Sequence, residues 1–221
     1  MLFDAKSSAK RSGAEAGPGS GVAGLLLAAG AGRRLGRPKA LVAIGGTTLA
    51  SRGVELLRDG GTDPVFMVTG AVELELPGVQ TVRNPDWATG MGSSLRAGLA
   101  ALGDRPDSGD AVVVALVDQP LIGFEAVTRL IDSFRQGAGA GLVAASYDGK
   151  RRNPVLFARR YWADVAAAAE ADLGARGFLQ AHRDLITLVE CGDVGRPDDL
   201  DTPEDLERIA ELLKTPAKFS K

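Results

Sequence analysis

Apolar residues in this chain gather in short continuous runs, and between those runs they recur at every third or fourth position. Runs at 22–28, 65–69, 79–83, 111–117, 141–146 and 185–190 have the length and composition of strands. Helical spacing fills 49–58, 93–102, 124–134 and 159–169. The run AVVVALV at 111–117 is apolar at every position, which predicts a strand covered on both faces. Strand–helix alternation of this kind predicts an α/β chain, a mostly parallel sheet flanked by helices. No internal repeat or linker interrupts the pattern, so residues 21–214 are expected to form one domain. Residues 1–20, rich in Ala, Ser and Gly, are expected to be a flexible leader, and 215–221 a short tail.

The last helix carries its own start signal. Thr202 suits the N-cap, Pro203 the first helical position, and Asp205 puts a carboxylate at the positive end of the helix. Leu206, Ile209, Ala210 and Leu213 then follow the spacing of a buried face.

Composition narrows the function classes. The 221 residues are 45% hydrophobic and 24% charged, enough apolar material for a substantial core. A net charge of −2 gives no general reason to expect nucleic-acid binding, though individual basic residues can still form a local phosphate site. No run approaches the roughly 18 apolar residues of a transmembrane helix, so no membrane partner is expected. Cys191 is the single cysteine and cannot form an internal disulfide, which suits a reducing cytoplasm. His182, the only histidine, falls in a helical stretch and is expected to be structural, as is Cys191.

The chemistry concentrates at 25–40, LLLAAGAGRRLGRPKA. An apolar strand runs into Gly30, Ala31 and Gly32, followed by Arg33, Arg34, Gly36 and Lys39. Glycines let backbone N–H groups approach an anion closely, and the basic side chains can neutralise a triphosphate. A Walker A loop is excluded, because Arg37-Pro38-Lys39 follows Gly36 in place of Lys-Ser/Thr. A dinucleotide fingerprint is excluded because Gly30, Gly32 and Gly36 are spaced one residue too wide.

Strand 111–117 ends in Asp118-Gln119-Pro120. Ligands in open α/β sheets bind beyond the carboxyl ends of strands, and a carboxylate there can hold magnesium bridging triphosphate oxygens. A turn or cap role for Asp118 is the competing reading. Asp201, in DDLDTPEDL, is a second candidate ligand; helix capping and Asp199 both compete with it. NPDWATGMGSSLRAGL at 84–99 enters a helix with Gly90, Gly92, Ser93 and Ser94 at its start, where polar or negative groups are favoured. Trp87 in that segment suits packing and ligand contact equally.

LAAGAGRRLGRPK, NPDWATGMGSSLRAGL, VDQP, NPVLF and DLDTPEDL occur in that order, and the chain over about 22–213 resembles the molybdenum-cofactor nucleotidyltransferase family, most of all its molybdopterin cytidylyltransferase branch. The resemblance implies a Rossmann-like, glycosyltransferase-A-type fold, magnesium, and CTP and molybdopterin as substrates, with a molybdoenzyme as potential client. It further implies that Ala28, Ala29, Gly30 and Gly32 line the nucleotide pocket and that Arg33 and Lys39 meet the phosphates. Asp118 would hold the metal, Asp201 would complete its site, and Gly92 and Ser93 would lie near base or ribose. Guanylyl-transferring relatives tend to have Gly where this chain has Ala29, which favours cytosine. Two departures, Arg152 before Asn153-Pro154 and Ala171-Asp172-Leu173 before Gly174-Ala175-Arg176, fall where an acceptor would sit. Competing functions are transfer to another phosphate-bearing acceptor, such as phospholactate or a sugar phosphate, and a non-catalytic role in binding nucleotide or molybdopterin.

Overall fold

A computed structural model describes residues 21–137 and 141–214; the expected leader at 1–20 and tail at 215–221 lie outside the described residues. In chain order the strands are β1 (Val22–Leu27), β2 (Ala43–Ile44), β3 (Thr47–Thr48), β4 (Val65–Thr69), β5 (Gln80–Arg83), β6 (Ala111–Leu116), β7 (Leu142–Tyr147), β8 (Lys150–Ala158) and β9 (Ile186–Glu190). The α-helices are α1 (Leu49–Asp59), α2 (Met91–Gly103), α3 (Phe124–Gln136), α4 (Trp162–Ala168), α5 (Arg176–Ala181) and α6 (Pro203–Lys214). All strands except the small β2–β3 pair form one sheet in the order β5-β4-β1-β6-β8-β7-β9.

β1, β4, β5 and β6 run parallel, and β9 runs parallel to β7, while β8 is antiparallel to both β6 and β7. Helices cover both faces. Along β6, Ala111, Val113, Ala115 and Val117 pack on the core beneath α1, α3 and α6, and Val112 and Val114 on the core beneath α2, α4 and α5. Two covered faces explain why this strand needs an apolar residue at every position. At α6 the expected cap forms, with Asp205 N–H donating to Thr202 Oγ1 at 3.2 Å and Thr202 N–H to Asp205 Oδ2 at 3.1 Å.

Three elements were not expected from the sequence: the β2–β3 hairpin, helix α5 and strand β8. Asp148 and Gly149, both at positive φ, turn β7 directly into β8, the two-residue hairpin signature. Polar residues fill the first half of β8 and Pro154 interrupts it, which hides the strand. The ladder accommodates the proline where its register shifts between Ala144 and Ser146. The helix expected at 159–169 is a 3₁₀ turn, Arg159–Tyr161, followed by the shorter α4.

Candidate functional site

The order of the sheet sets the position of the site. From β1 the chain crosses by α1 to β4 on one side, and by α2 it returns from β5 to β6 on the other, so the chain leaves the carboxyl ends of the paired β1 and β6 in opposite directions. A cavity of about 390 Å³ opens there. One wall is the loop after β1, Ala29 to Arg34, with Lys39; a second is Val117, Asp118 and Asp201; a third is Trp87, Gly90, Met91, Ser94 and Asp172.

Gly32 and Gly36 bend the first wall at φ values of 60° and 76°. A Cβ on Gly32 would overlap the Arg37 carbonyl oxygen, so only glycine closes this turn. Among the described residues, the N–H groups of Gly30, Ala31, Gly32, Arg33 and Arg34 have no hydrogen-bond acceptor within the chain. Together with the Arg33 guanidinium they form a concave surface of donors suited to phosphate.

Lys39 Nζ lies 2.7 Å from Asp118 Oδ2 and 2.6 Å from Asp201 Oδ1, and Arg34 Nη2 reaches Asp201 Oδ2 at 2.7 Å. Burial works against the Lys39 ammonium, but the neighbouring Asp118 and Asp201 more than offset it and hold its pKa above the ordinary value. The hydrogen bond from Lys39 holds the Asp201 carboxyl below its ordinary value despite partial burial. Two hydrogen bonds tie the acid-bearing loops together: Leu200 N–H donates to the Asp118 carbonyl at 2.8 Å, and Gln119 Nε2 to Asp199 Oδ1 at 2.8 Å. Asp199 therefore faces Gln119, whereas Asp201 faces the cavity. Although Asp199 is exposed as a residue, loss of water around its carboxyl, with the charges of Asp118 and Asp201, raises its pKa.

Asp118 Oδ1 is buried and has no hydrogen-bond partner. A carboxylate with one oxygen on Lys39 and the other unsatisfied, facing a second carboxylate, fits a hard divalent cation. Among the described residues no group of three or more His, Cys, Asp or Glu side chains has metal-binding geometry. Asp118 and Asp201 would thus supply two ligands, leaving the rest to phosphate oxygens and water, as magnesium prefers.

Of the residues singled out from the sequence, Ala29, Gly30, Gly32, Arg33, Lys39, Asp118 and Asp201 line this one cavity. Ala28, Gly92 and Ser93 do not. Ala28 belongs to the core on the opposite face of the sheet. Gly92 sits against the backbone of Glu170, where a Cβ would come within 2.8 Å. The Ser93 hydroxyl is used by its own loop, accepting from Asn84 Nδ2 at 2.8 Å and lying 2.8 Å from the Gly90 carbonyl. From the same segment Gly90 and Ser94, both named at the helix start, do line the cavity, and Met91 and Asp172 join them. Asp172 arrives on a loop pinned to α2, with Arg96 donating to the Ala169 carbonyl and Gly90 packed against Ala171. Arg152 is exposed and outside the lining.

His182 caps α5 and stacks on Phe178 at 4.1 Å between ring centroids. Cys191 is fully buried, and burial pushes its thiol up to about 11, a value that leaves it protonated and inert at neutral pH. No helix among the described residues is long and apolar enough to cross a membrane.

A glycine-rich cationic loop facing paired carboxylates at the switch point of a parallel sheet defines a phosphate-handling, nucleotidyltransferase-type α/β protein. The chain belongs to the MobA-like NTP transferase family, whose domain matches residues 24–185. It is 38% identical over 199 residues to nicotine blue oxidoreductase of Paenarthrobacter nicotinovorans, covering 85% of this chain and 96% of that protein. Identity to a probable molybdenum cofactor guanylyltransferase of Opitutus terrae is 35% over 125 residues, 55% of this chain and 59% of the relative. Among solved structures, a Mycobacterium tuberculosis protein in complex with manganese superposes with a TM-score of 0.70 at 25% identity, covering 87% of this chain and 99% of that one.

Proposed function

We propose that this chain transfers a nucleoside monophosphate from an NTP to a phosphate-bearing acceptor, and specifically CMP from CTP to molybdopterin with release of pyrophosphate. The observation that carries the reading is the junction of Lys39 with Asp118 and Asp201 beside a loop of unpaired amides. An acceptor phosphate oxygen attacks the α-phosphorus in line; one P–O bond forms, and the bond to the pyrophosphate oxygen breaks, its electron pair leaving with pyrophosphate. The chain needs no covalent role in this step, so positioning and charge neutralisation dominate. The free amides after Gly30 and the Arg33 guanidinium hold the β- and γ-phosphates, and Lys39 offsets charge on the departing group. Asp118 and Asp201 would hold magnesium, which when bound supplies further charge neutralisation at the transferring phosphate. Ala29 adds one methyl to the cavity wall compared with glycine, which favours a smaller pyrimidine over guanine.

The test is magnesium-dependent pyrophosphate release with CTP, GTP and ATP in turn, with and without molybdopterin. Release with CTP and molybdopterin together, and with no other pair, is expected. Release with a different acceptor keeps the transfer and changes its substrate; tight CTP binding without release under any acceptor supports a binding-only role. A second reading comes from the 38% identity to a protein named as an oxidoreductase. Bleaching of nicotine blue by the same preparation under supplied electron donors, with no pyrophosphate release, would replace transfer by redox chemistry.

A further inference from the structure

We propose that Lys39 is a resident placeholder cation: in the nucleotide-free chain its ammonium occupies the seat between Asp118 and Asp201 that a divalent ion would take, so ion and triphosphate bind as a coupled pair. The inference rests on reading the two aspartates as cation ligands. Nζ lies 2.7 Å and 2.6 Å from one oxygen of each carboxylate, on a side chain only 14% exposed. A divalent ion drawing on those two carboxylates would compete with the ammonium for the space between them, and two cations do not share it without a further anion.

Charge leads to the same conclusion. With Arg34 on Asp201, the two carboxylates that would hold the ion are already matched by two cations. A divalent ion added alone would bring positive charge that this pair of carboxylates is no longer free to balance. A triphosphate balances that charge and also gives the ammonium a new partner, because Lys39 already lines the phosphate cavity on a flexible stem. Asp118 Oδ1 has no partner while the lysine is in place, so the lysine satisfies the cluster incompletely and exchange is favoured once phosphate arrives. By linkage, nucleotide tightens ion binding by the same factor as ion tightens nucleotide binding.

The experiment is Mn²⁺ binding to the nucleotide-free full chain, followed by electron paramagnetic resonance of the free ion. Lys39→Met should bind Mn²⁺ about tenfold or more tightly than the unaltered chain, a usual size for coupling between ligands. Lys39→Arg, which keeps the charge, should stay as weak as the unaltered chain, and adding Asp118→Asn to Lys39→Met should abolish the gain. Lys39→Gln, with melting curves alongside, repeats the measurement in case the methionine variant folds poorly. Equal Mn²⁺ affinity in the unaltered chain and both neutral variants overturns the placeholder and leaves the ligand assignment standing. Absence of Mn²⁺ binding in every variant overturns both.

Discussion

Two loops border the same cavity and are built on opposite plans. The loop after β1 keeps its polar groups open: among the described residues the amides from Gly30 to Arg34 lack an internal acceptor, and Arg33 makes no ion pair. The loop before α2 closes on itself. Asn84 donates to both Ser93 and Ser94 hydroxyls at 2.8 Å and 3.0 Å, and its own Oδ1 accepts from Asp86 N–H at 3.0 Å. Both loops are rich in glycine and polar residues, so residue type alone does not separate a ligand cradle from a self-bonded brace. The partner of each donor does.

The largest expected effect breaks the open side. Asp118→Asn should lower kcat for pyrophosphate release by about 100- to 1000-fold, the loss found when one preorganised charge-stabilising group is removed. Its thermal midpoint should fall far less in proportion, because Asp201 still pairs with Lys39 when Asp118 is neutral. Equal collapse of activity and fold would make Asp118 a brace like Asn84. Next, Gly32→Ala places a methyl against the Arg37 carbonyl at a φ of 60°. A displacement of the loop by about an ångström should reduce kcat/KM by about 100-fold, read by steady-state kinetics across NTP concentrations.

The closed side should respond in the opposite sense. Ser93→Ala leaves Asn84 short of a buried partner and should reduce unfolding free energy by about 1–3 kcal/mol in denaturant titration, with KM for nucleotide unchanged. Ser94→Ala should raise that KM with a smaller loss of stability; a reversal of the two would place the ligand contact at Ser93 after all. The smallest effect is on pH. The folded pKa of Asp201 lies below its unfolded value of about 3.9, so its contribution is complete above that value and fades as pH falls through the folded pKa. In melting curves between pH 2 and 7, Asp201→Asn should flatten the acid limb and leave the neutral plateau without this pH dependence.

The fold was legible where apolar periodicity had no competitor. β6 and α6 follow from an unbroken apolar run and a reciprocal Thr202–Asp205 cap. β8 was not legible, because Lys150, Arg151, Arg152 and Pro154 carry a solvent-like pattern into a strand that lies between two others. For the site, charged residue type at a strand's carboxyl end marked Asp118, and glycine spacing marked the loop from Gly30 to Lys39. Choosing Asp201 over Asp199, or Ser94 over Ser93, turns on side-chain direction, which depends on Gln119 and Asn84 and has no trace in local spacing. The 171–173 segment stood out only as a departure from the family's pattern; the strained Ala171, at φ 34°, and the contact with Gly90 carry Asp172 to the cavity.

Lys39 and Asp201 stand 162 positions apart, yet a single ammonium joins them. During synthesis, the strand that presents Asp118 and the loop that presents Lys39 emerge long before the segment that delivers Asp201. Until that segment docks, with Leu200 N–H on the Asp118 carbonyl, the emerging polypeptide has a cationic cradle without its second acid. The charge cluster is therefore a long-range contact, formed only when the late segment has closed onto the early ones, and such contacts are slow to form.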